Sequence, residues 1–121
     1  MPIVDVEIVL KPNETLREGL VFEIANELGK IFNSPRGGTW VKLYELPLNK
    51  YAENDVAQTS VHPVFVKITK AHLPDQLELQ GEAEKVSGAV AEICGRPSEN
   101  VHVIFKPKGR GRVAFGGKLI S

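Results

Sequence analysis

The feature that most constrains the fold is a repeat in which each half of the chain opens and closes on a proline. Pro2 and Pro63 each precede a run of β-forming residues, and Pro47 and Pro107 each follow a second such run; the offsets are 61 (63 − 2) and 60 (107 − 47) residues. A helical pattern separates the two runs in each half. Each half is therefore predicted to be a βαβ unit with parallel strands. Two such units side by side predict an α+β fold, in which a four-stranded sheet carries both helices on one face.

The repeat divides the chain into four predicted segments. The first βαβ unit covers residues 1–47, a polar connection covers 48–62, the second unit covers 63–107 and a C-terminal hairpin covers 108–121. A chain of 121 residues is close to the commonest domain size, so we expect these segments to form a single domain. The sheet face without helices is expected to be apolar and to be buried by another copy of the chain.

Apolar residues recur at helical spacing in both units. In the first unit the stripe consists of Leu16, Leu20, Ile24, Leu28 and Ile31. The pair Thr15 and Glu18 fits a capping box, which predicts that the first helix begins beside Thr15. The second helix is predicted to begin at Pro74-Asp75 and to end within residues 95–97, where glycine and proline interrupt the pattern.

Composition and charge narrow the function classes. Lys plus Arg number 15 and Asp plus Glu number 15, so the neutral chain has no overall attraction for nucleic acid or membranes. No apolar run approaches the roughly 20 residues of a membrane span, and no signal-peptide pattern opens the sequence, so we expect a cytoplasmic protein. The single cysteine, Cys94, rules out an internal disulfide and a cysteine metal cluster. Cys94 falls in an apolar helical stripe, which predicts a buried thiol rather than a nucleophile.

The second residue of the chain offers a specific chemistry. Pro2 directly follows Met1 and is small enough for the methionine to be removed, which would leave a secondary amine at the head of a strand. An α-amino group titrates at about 7.7–8.0, and burial or nearby cations lower that pKa because they disfavour the ammonium. A neutral amine near pH 7 can act as a general base or a nucleophile. Many chains begin Met-Pro without a catalytic role, so other residues have to support the site.

Taken together, these features resemble the tautomerase superfamily, which includes 4-oxalocrotonate tautomerase and macrophage migration inhibitory factor. The resemblance covers Pro2, the two units that open on proline, and residues 101–121. In this last segment a Val-x-Val-Ile strand, a basic turn and the run Phe115-Gly116-Gly117-Lys118-Leu119 are similar to the closing hairpin of 4-oxalocrotonate tautomerase. The resemblance implies two short tautomerase units fused into one chain, a homotrimer, and Pro2 as the catalytic residue.

The resemblance also implies substrate-binding residues near the start of the second unit. Fused family members hold the substrate's carboxylate there with arginines, and the matching stretch of this sequence runs from Lys70 to Leu73. Lys70 and His72 are the residues that would do so here. A lysine offers a point charge where an arginine offers a bidentate fork, and Leu73 offers no charge. This departure argues against a dicarboxylate substrate.

The other implied site residues lie in the last strand and the hairpin. His102 falls on a family arginine that reaches into a neighbouring subunit's site, and the alternative for it is a strand residue satisfied at the trimer interface. Val113 falls on the family's aromatic position and Phe115 follows two residues later, so both are expected to form an apolar wall. Arg112 is expected to supply one of the missing cations. The lack of a Glu near Phe115 argues against dehalogenating or hydrating chemistry.

The sequence therefore predicts a keto–enol tautomerase that acts on a small 2-oxo or 2-hydroxydienoate acid without a metal or organic cofactor. Neutral Pro2 would remove a proton beside the carbonyl, or from the enol hydroxyl, and return it at another carbon. Two alternatives stay open. One is a non-catalytic trimeric ligand-binding or interaction module of the same fold, and the other is a decarboxylase that uses the same proline.

Overall fold

The computed structural model describes residues 2–57 and 60–121. Within these residues, six strands and two α-helices follow one another in the predicted order. They are β1 (Ile3–Val9), α1 (Leu20–Ile31), β2 (Trp40–Leu46), β3 (Val64–Thr69), α2 (Gln76–Cys94), β4 (Val101–Phe105), β5 (Ala114–Phe115) and β6 (Lys118–Leu119). The last two strands pair antiparallel and form the C-terminal hairpin.

The four long strands form one mixed sheet in the order β2-β1-β3-β4. Strand β1 is parallel to β2, and β3 is parallel to β4, as each βαβ unit requires. The two units meet through the antiparallel pair β1 and β3. The predicted α+β fold is confirmed.

The hydrophobic core lies between this sheet and the two helices. Alternate residues of the central strands β1 and β3 face the helices and are fully buried; they are Val4, Val6, Ile8, Val64, Val66 and Ile68. The helices add the buried residues Leu20, Ile24, Leu28, Val86, Val90 and Ala91. Full burial of an aliphatic side chain of this size contributes about 1.5–3 kcal/mol, so this layer is the main source of stability.

The start of α1 differs from the predicted one. The helix begins at Leu20, behind Gly19 in a left-handed conformation (φ 81°), and no side chain caps it. The predicted capping box at Thr15 is therefore wrong. The physical reason is Glu14, because its two carboxylate oxygens each accept a 2.7 Å hydrogen bond from Arg96, 82 residues away. This contact fixes the chain before Thr15 against the far end of α2, and no local pattern reveals it.

Helix α2 begins and ends as predicted. The Asp75 side chain caps its first turn by accepting a 2.9 Å hydrogen bond from the Glu78 backbone N–H. The helix ends at Gly95, which has a left-handed conformation (φ 67°) that glycine adopts without strain. Burial raises the pKa of the neighbouring Cys94 thiol to about 11. The thiol is therefore protonated at neutral pH, which agrees with an unreactive structural cysteine.

Arg96 fastens several parts of the chain together just beyond α2. Its side chain is only 2% exposed. Besides binding Glu14, its guanidinium donates to the carbonyl oxygens of Val9, Cys94 and His62 at 2.8, 3.0 and 3.2 Å. All the guanidinium N–H groups are thus engaged. Pairing and hydrogen bonding together make a buried charge tolerable.

The second face of the sheet differs from the apolar face that we expected. Strand alternation places charged and ring-bearing side chains there, beside the aliphatic Ile3 and Ile104; they are Asp5, Glu7, Trp40, Lys42, Tyr44, Phe65, Lys67 and His102. Lys42 Nζ lies 3.2 Å from Asp5 Oδ1 on this face. The expectation failed because the acidic residues of β1 alternate with its core-facing valines, so they point away from the helices. A partner copy on this face would meet a mixed surface.

Candidate active site

Pro2 is buried at one end of the sheet, directly before β1. Its carbonyl oxygen accepts a 3.0 Å hydrogen bond from the backbone N–H of Trp40, the first residue of β2. On the other side of β1, Ile3 pairs with Thr69, so the antiparallel register brings Lys70 opposite Pro2. Pro2 therefore lies between the start of β2 and the end of β3. Met1 lies outside the described residues.

Lys70 lies on the helix side of this end of the sheet and is engaged in an ion pair. Its Nζ is 2.9 Å from Glu82 Oε2 and 5.2 Å from the centroid of the Phe32 ring. The Lys70 and Glu82 side chains are 20% and 15% exposed. The other carboxylate oxygen, Glu82 Oε1, is buried and accepts no hydrogen bond from the described residues. The charge that we expected to be free for a substrate carboxylate is thus already paired.

Trp40 and Phe115 form an aromatic pair at the same end of the sheet. Their ring centroids are 5.2 Å apart with an interplanar angle of 79°. The Trp40 indole N–H donates a 2.9 Å hydrogen bond to the Gly37 carbonyl, which fixes the orientation of the ring. Trp40 is 50% exposed and Phe115 is half-buried. The pair offers an accessible apolar surface on the uncovered face at this end of the sheet, where the Trp40 backbone binds Pro2.

The C-terminal segment connects these two clusters. The Gly109 N–H donates a 2.7 Å hydrogen bond to the Lys70 carbonyl at the end of β3. Half-buried Val113 packs so closely on Gly109 that a Cβ there would lie 3.1 Å from Val113 Cγ2. Phe115 then reaches Trp40 at the start of β2. Because β1 lies between β3 and β2, the segment passes across the start of β1. The predicted site residues that lie at this end of the sheet are Pro2, Lys70, Val113 and Phe115.

Two further predicted site residues lie near this end of the sheet, without a close connection to Pro2. His72 is exposed, two residues beyond Lys70. Arg112 is exposed and donates a 3.3 Å hydrogen bond to the Lys108 carbonyl. Arg36 also lies near this end, in the turn before Trp40, where it lines a cavity of about 700 Å³ between that turn and α1. None of the three has an ion-pair partner among residues 2–57 and 60–121.

His102 lies far from this cluster. It pairs with Phe65, which pairs in turn with Glu7 near the far end of β1. Five strand positions separate Glu7 from Pro2, or about 16 Å at about 3.3 Å per residue. The His102 ring contacts Phe65 on the uncovered face, with 5.6 Å between centroids. His102 therefore cannot reach the Pro2 of its own chain.

Comparison with known proteins identifies the family. A protein named "Probable tautomerase" from Bacillus cereus is 36% identical over 58 residues, which are 48% of this chain and 92% of that protein. A protein of the same name from Bacillus anthracis matches equally well. This chain belongs to the tautomerase superfamily. No protein-family model matches it.

Solved structures of other tautomerase-fold proteins share the architecture. They include Pt0534 inactivated by 2-oxo-3-pentynoate, with a TM-score of 0.75 and 16% identity over 97% of this chain and 94% of that one. A symmetric trimer of a fused 4-OT has a TM-score of 0.76 and 11% identity, with the same coverage. Macrophage migration inhibitory factor from Oncomelania hupensis has a TM-score of 0.73 and 15% identity over 98% and 81%. At these identities the likeness shows the fold.

Among residues 2–57 and 60–121, no group of three or more His, Cys, Asp or Glu side chains is placed to hold a metal ion. Over the same residues, no helix is long and apolar enough to cross a membrane.

Sequence reasoning missed three residues at this candidate site, namely Trp40, Arg36 and Glu82. For Glu82 a signal was present, because it stands one helical turn before buried Val86 on the stripe of α2 that faces the sheet. A carboxylate on such a stripe needs a partner. Trp40 and Arg36 gave no comparable signal, since an aromatic residue in a strand and an arginine in a turn are both common.

Proposed function

We propose that this protein is a keto–enol tautomerase that acts on a small 2-oxo or 2-hydroxydienoate acid, with the free amine of Pro2 as general base. The observation that carries the proposal is the position of Pro2. It is buried at the start of β1, between the register position of Lys70 and the backbone of Trp40, where the C-terminal segment crosses the sheet. Membership of the tautomerase superfamily supports the type of reaction.

The burial of Pro2 favours the neutral amine on which this mechanism depends. Removal of Met1 converts an amide nitrogen, whose lone pair is delocalised, into a secondary amine. An exposed α-amino group has a pKa of about 7.7–8.0, and burial lowers this value because it disfavours the ammonium. The neutral amine takes a proton from the carbon beside the carbonyl, or from the enol hydroxyl. The resulting ammonium returns the proton at the other position, so the reaction needs no oxidant or cofactor.

The aromatic pair and the C-terminal segment are the proposed apolar wall of the site. Trp40, Val113 and Phe115 would contact the hydrocarbon part of the substrate. They would also limit the access of water to Pro2, which strengthens electrostatic interactions within the site. The carboxylate of the substrate would then be bound by polar groups at the same end of the sheet.

The proposed carboxylate-binding groups are the cations at this end. Lys70 is already paired with Glu82, so it would orient or polarise the substrate rather than provide a free charge. His72 and Arg112, together with Arg36, carry no ion-pair partner among the described residues. A hydrogen bond to a charged group contributes about 1.5–3 kcal/mol, so one such contact would suffice to fix a carboxylate.

We also propose that the protein is a homotrimer. A fused 4-OT that shares this fold was solved as a symmetric trimer. Trimer formation would cover the mixed charged and aromatic face of the sheet, and it would give His102 the access to a neighbouring copy's site that it lacks in its own chain. We place the trimer in the cytoplasm, where a sequence with a single cysteine needs no disulfide.

Two reactions test the proposed function on protein whose N-terminus is shown by mass spectrometry to be Pro2. Phenylenolpyruvate should be converted to its keto form, followed by ultraviolet absorbance. 2-Oxo-3-pentynoate, which inactivated Pt0534, should add covalently to Pro2. If the protein converts no 2-oxo acid and Pro2 is not labelled, the result would favour the non-catalytic binding module. Release of CO2 in place of the keto product would favour a decarboxylase.

A further inference from the structure

Glu82 places a carboxylate at a position where an apolar side chain would pack against the core without the cost of burying a charge. It lies on the sheet-facing stripe of α2, and its side chain is 15% exposed. One oxygen binds Lys70 at 2.9 Å, while the other is buried and accepts no hydrogen bond from the described residues. Burial of such a pair costs free energy that its mutual attraction only partly offsets. A role beyond packing is therefore needed to explain the charge.

The ion pair of Lys70 and Glu82 itself carries no net charge. Opposite unit charges 2.9 Å apart largely cancel at distances greater than their separation. A carboxylate that approached Lys70 would meet the negative charge of Glu82 at nearly the same distance. It would lose its hydration without gaining an unopposed partner. A carbonyl, a hydroxyl or a hydrocarbon group loses far less hydration in the same place.

The other groups of the proposed site are an apolar surface and basic side chains that have no ion-pair partner among residues 2–57 and 60–121. Trp40 and Phe115 provide the apolar surface, and His72, Arg112 and Arg36 are the basic side chains. We propose that Glu82 makes this site selective for monocarboxylic 2-oxo acids and excludes dicarboxylic ones by neutralising Lys70. The inference rests on the function proposed above. Glu82 acts through Lys70 and is a specificity-determining residue rather than a catalytic one.

The test compares two substrates that differ only in the second carboxylate, 2-oxohexanoate and 2-oxohexanedioate. Proton NMR in deuterium oxide follows exchange at C3, where Pro2 would remove the proton, and gives kcat and KM for each acid. The wild-type protein should prefer the monoacid. Glu82→Gln keeps the shape of the side chain and frees the charge of Lys70. It should raise kcat/KM for the diacid about tenfold, the effect of one charge-assisted contact, mainly through a lower KM, and should thereby raise the ratio of the diacid kcat/KM to the monoacid kcat/KM.

Four variants separate selectivity from a structural role. Glu82→Asp keeps the charge and should keep the preference for the monoacid. Glu82→Gln combined with Lys70→Met removes both charges and should lose the gain for the diacid. Glu84→Gln changes an exposed carboxylate on the same helix, which binds Gln80 rather than a cation. This variant should not change kcat/KM for either acid. Glu82→Leu also frees Lys70 and carries the test if Glu82→Gln does not fold. Loss of packing alone would affect both acids equally.

The outcomes distinguish this inference from the proposed function. If an active Glu82→Gln protein has the same ratio of kcat/KM values for the two acids as the wild type, the role of Glu82 is overturned. The proposed tautomerase function would not be affected. If the protein that starts at Pro2 catalyses proton exchange at C3 of neither acid, the proposed reaction is wrong. Selectivity is then measured by NMR titration, as the ratio of the Kd values for the two acids. A shift of that ratio towards the diacid in Glu82→Gln supports the role of Glu82. An equal ratio, or binding of neither acid, overturns it.

Discussion

The Phe115 ring stands at 79° to the Trp40 indole, with 5.2 Å between their centroids. This edge-to-face arrangement contributes about 0.5–1.5 kcal/mol beyond the area that it buries. It joins the C-terminal hairpin to the start of β2, whose first backbone N–H binds the Pro2 carbonyl. The hairpin is thereby held across the start of β1 and forms part of the candidate site.

We expect Phe115→Ala to lower kcat/KM for a 2-oxo acid by up to about tenfold, because half-buried Phe115 contributes about half of the roughly 1.5–3 kcal/mol of a fully buried side chain. The loss also lets water reach Pro2, so the kinetic pKa of its amine should rise towards the value of an exposed α-amino group. Leu119→Ala removes an exposed apolar side chain from the same hairpin and is the matched control. Equal effects of the two substitutions would place the hairpin outside the site.

A second prediction concerns stability and pH. Hydrogen bonds from Arg96, the largest cause, lower the pKa of Glu14 from 4.5 to about 2. A carboxylate whose pKa falls on folding adds stability above its unfolded pKa of 4.5, and this is lost as pH drops towards about 2. Glu14→Gln should therefore lower the free energy of unfolding by about 3 kcal/mol at pH 7, since it leaves the Arg96 charge buried and unpaired. The difference from wild type should shrink between pH 4.5 and 2.

Urea unfolding followed by circular dichroism, at one fixed protein concentration, measures this effect. The control is Glu18→Gln, a nearby exposed glutamate, which should change the free energy of unfolding by less than about 0.5 kcal/mol. A Glu14→Gln protein as stable as this control at pH 7 would show that the Arg96 contact does not hold the fold together.

The third prediction concerns Gly109, where the C-terminal segment meets β3. A Cβ at this position would lie 3.1 Å from Val113 Cγ2 and 3.4 Å from the Lys70 carbonyl oxygen. Gly109→Ala should therefore cost about 1–3 kcal/mol through overpacking. Gly88→Ala in α2 has open space around the new methyl group and should instead stabilise the helix by up to about 1 kcal/mol. Thermal unfolding of the two variants should shift in opposite directions, and a shift in the same direction would contradict the packing at Gly109.

The strands and α2 could be predicted because their signals are local. Alternation marks β1, and Asp75 and Gly95 mark the ends of α2 within a turn of where they act. The start of α1 could not be predicted, because Glu14 binds Arg96 from the opposite end of the chain. Patterning thus locates an element, while a distant contact decides where it begins.

The candidate site could be predicted only in outline. The proline at the head of β1 was visible in the sequence, and the repeat indicated the strand that would lie beside it. The pairing of Lys70 with Glu82 was not predicted, because it joins a strand end to a helix turn and depends on how the two elements pack. The same holds for the contact of Trp40 with Phe115, which lie 75 residues (115 − 40) apart.

A fourth prediction concerns assembly. Sedimentation equilibrium at micromolar concentration should give a mass close to three chains, because the proposed trimer covers the mixed face of the sheet with further copies and brings His102 to a neighbouring Pro2. In that assembly His102→Ala should change turnover although it lies about 16 Å along the sheet from its own Pro2. A stable monomer with full activity would contradict the proposed trimer.

The measurement that tests the central claim most directly compares turnover of two forms of the protein, one starting at Pro2 and one that keeps Met1. Mass spectrometry establishes each N-terminus, and circular dichroism shows that both forms fold. With Met1 in place the Pro2 nitrogen is an amide that cannot take a proton, so this form should be inactive. The Pro2 form should convert phenylenolpyruvate at a rate that rises with pH through one ionisation below about 7.7, the lower limit for an ordinary α-amino group. Equal turnover by the two forms would contradict the assignment of Pro2 as the base.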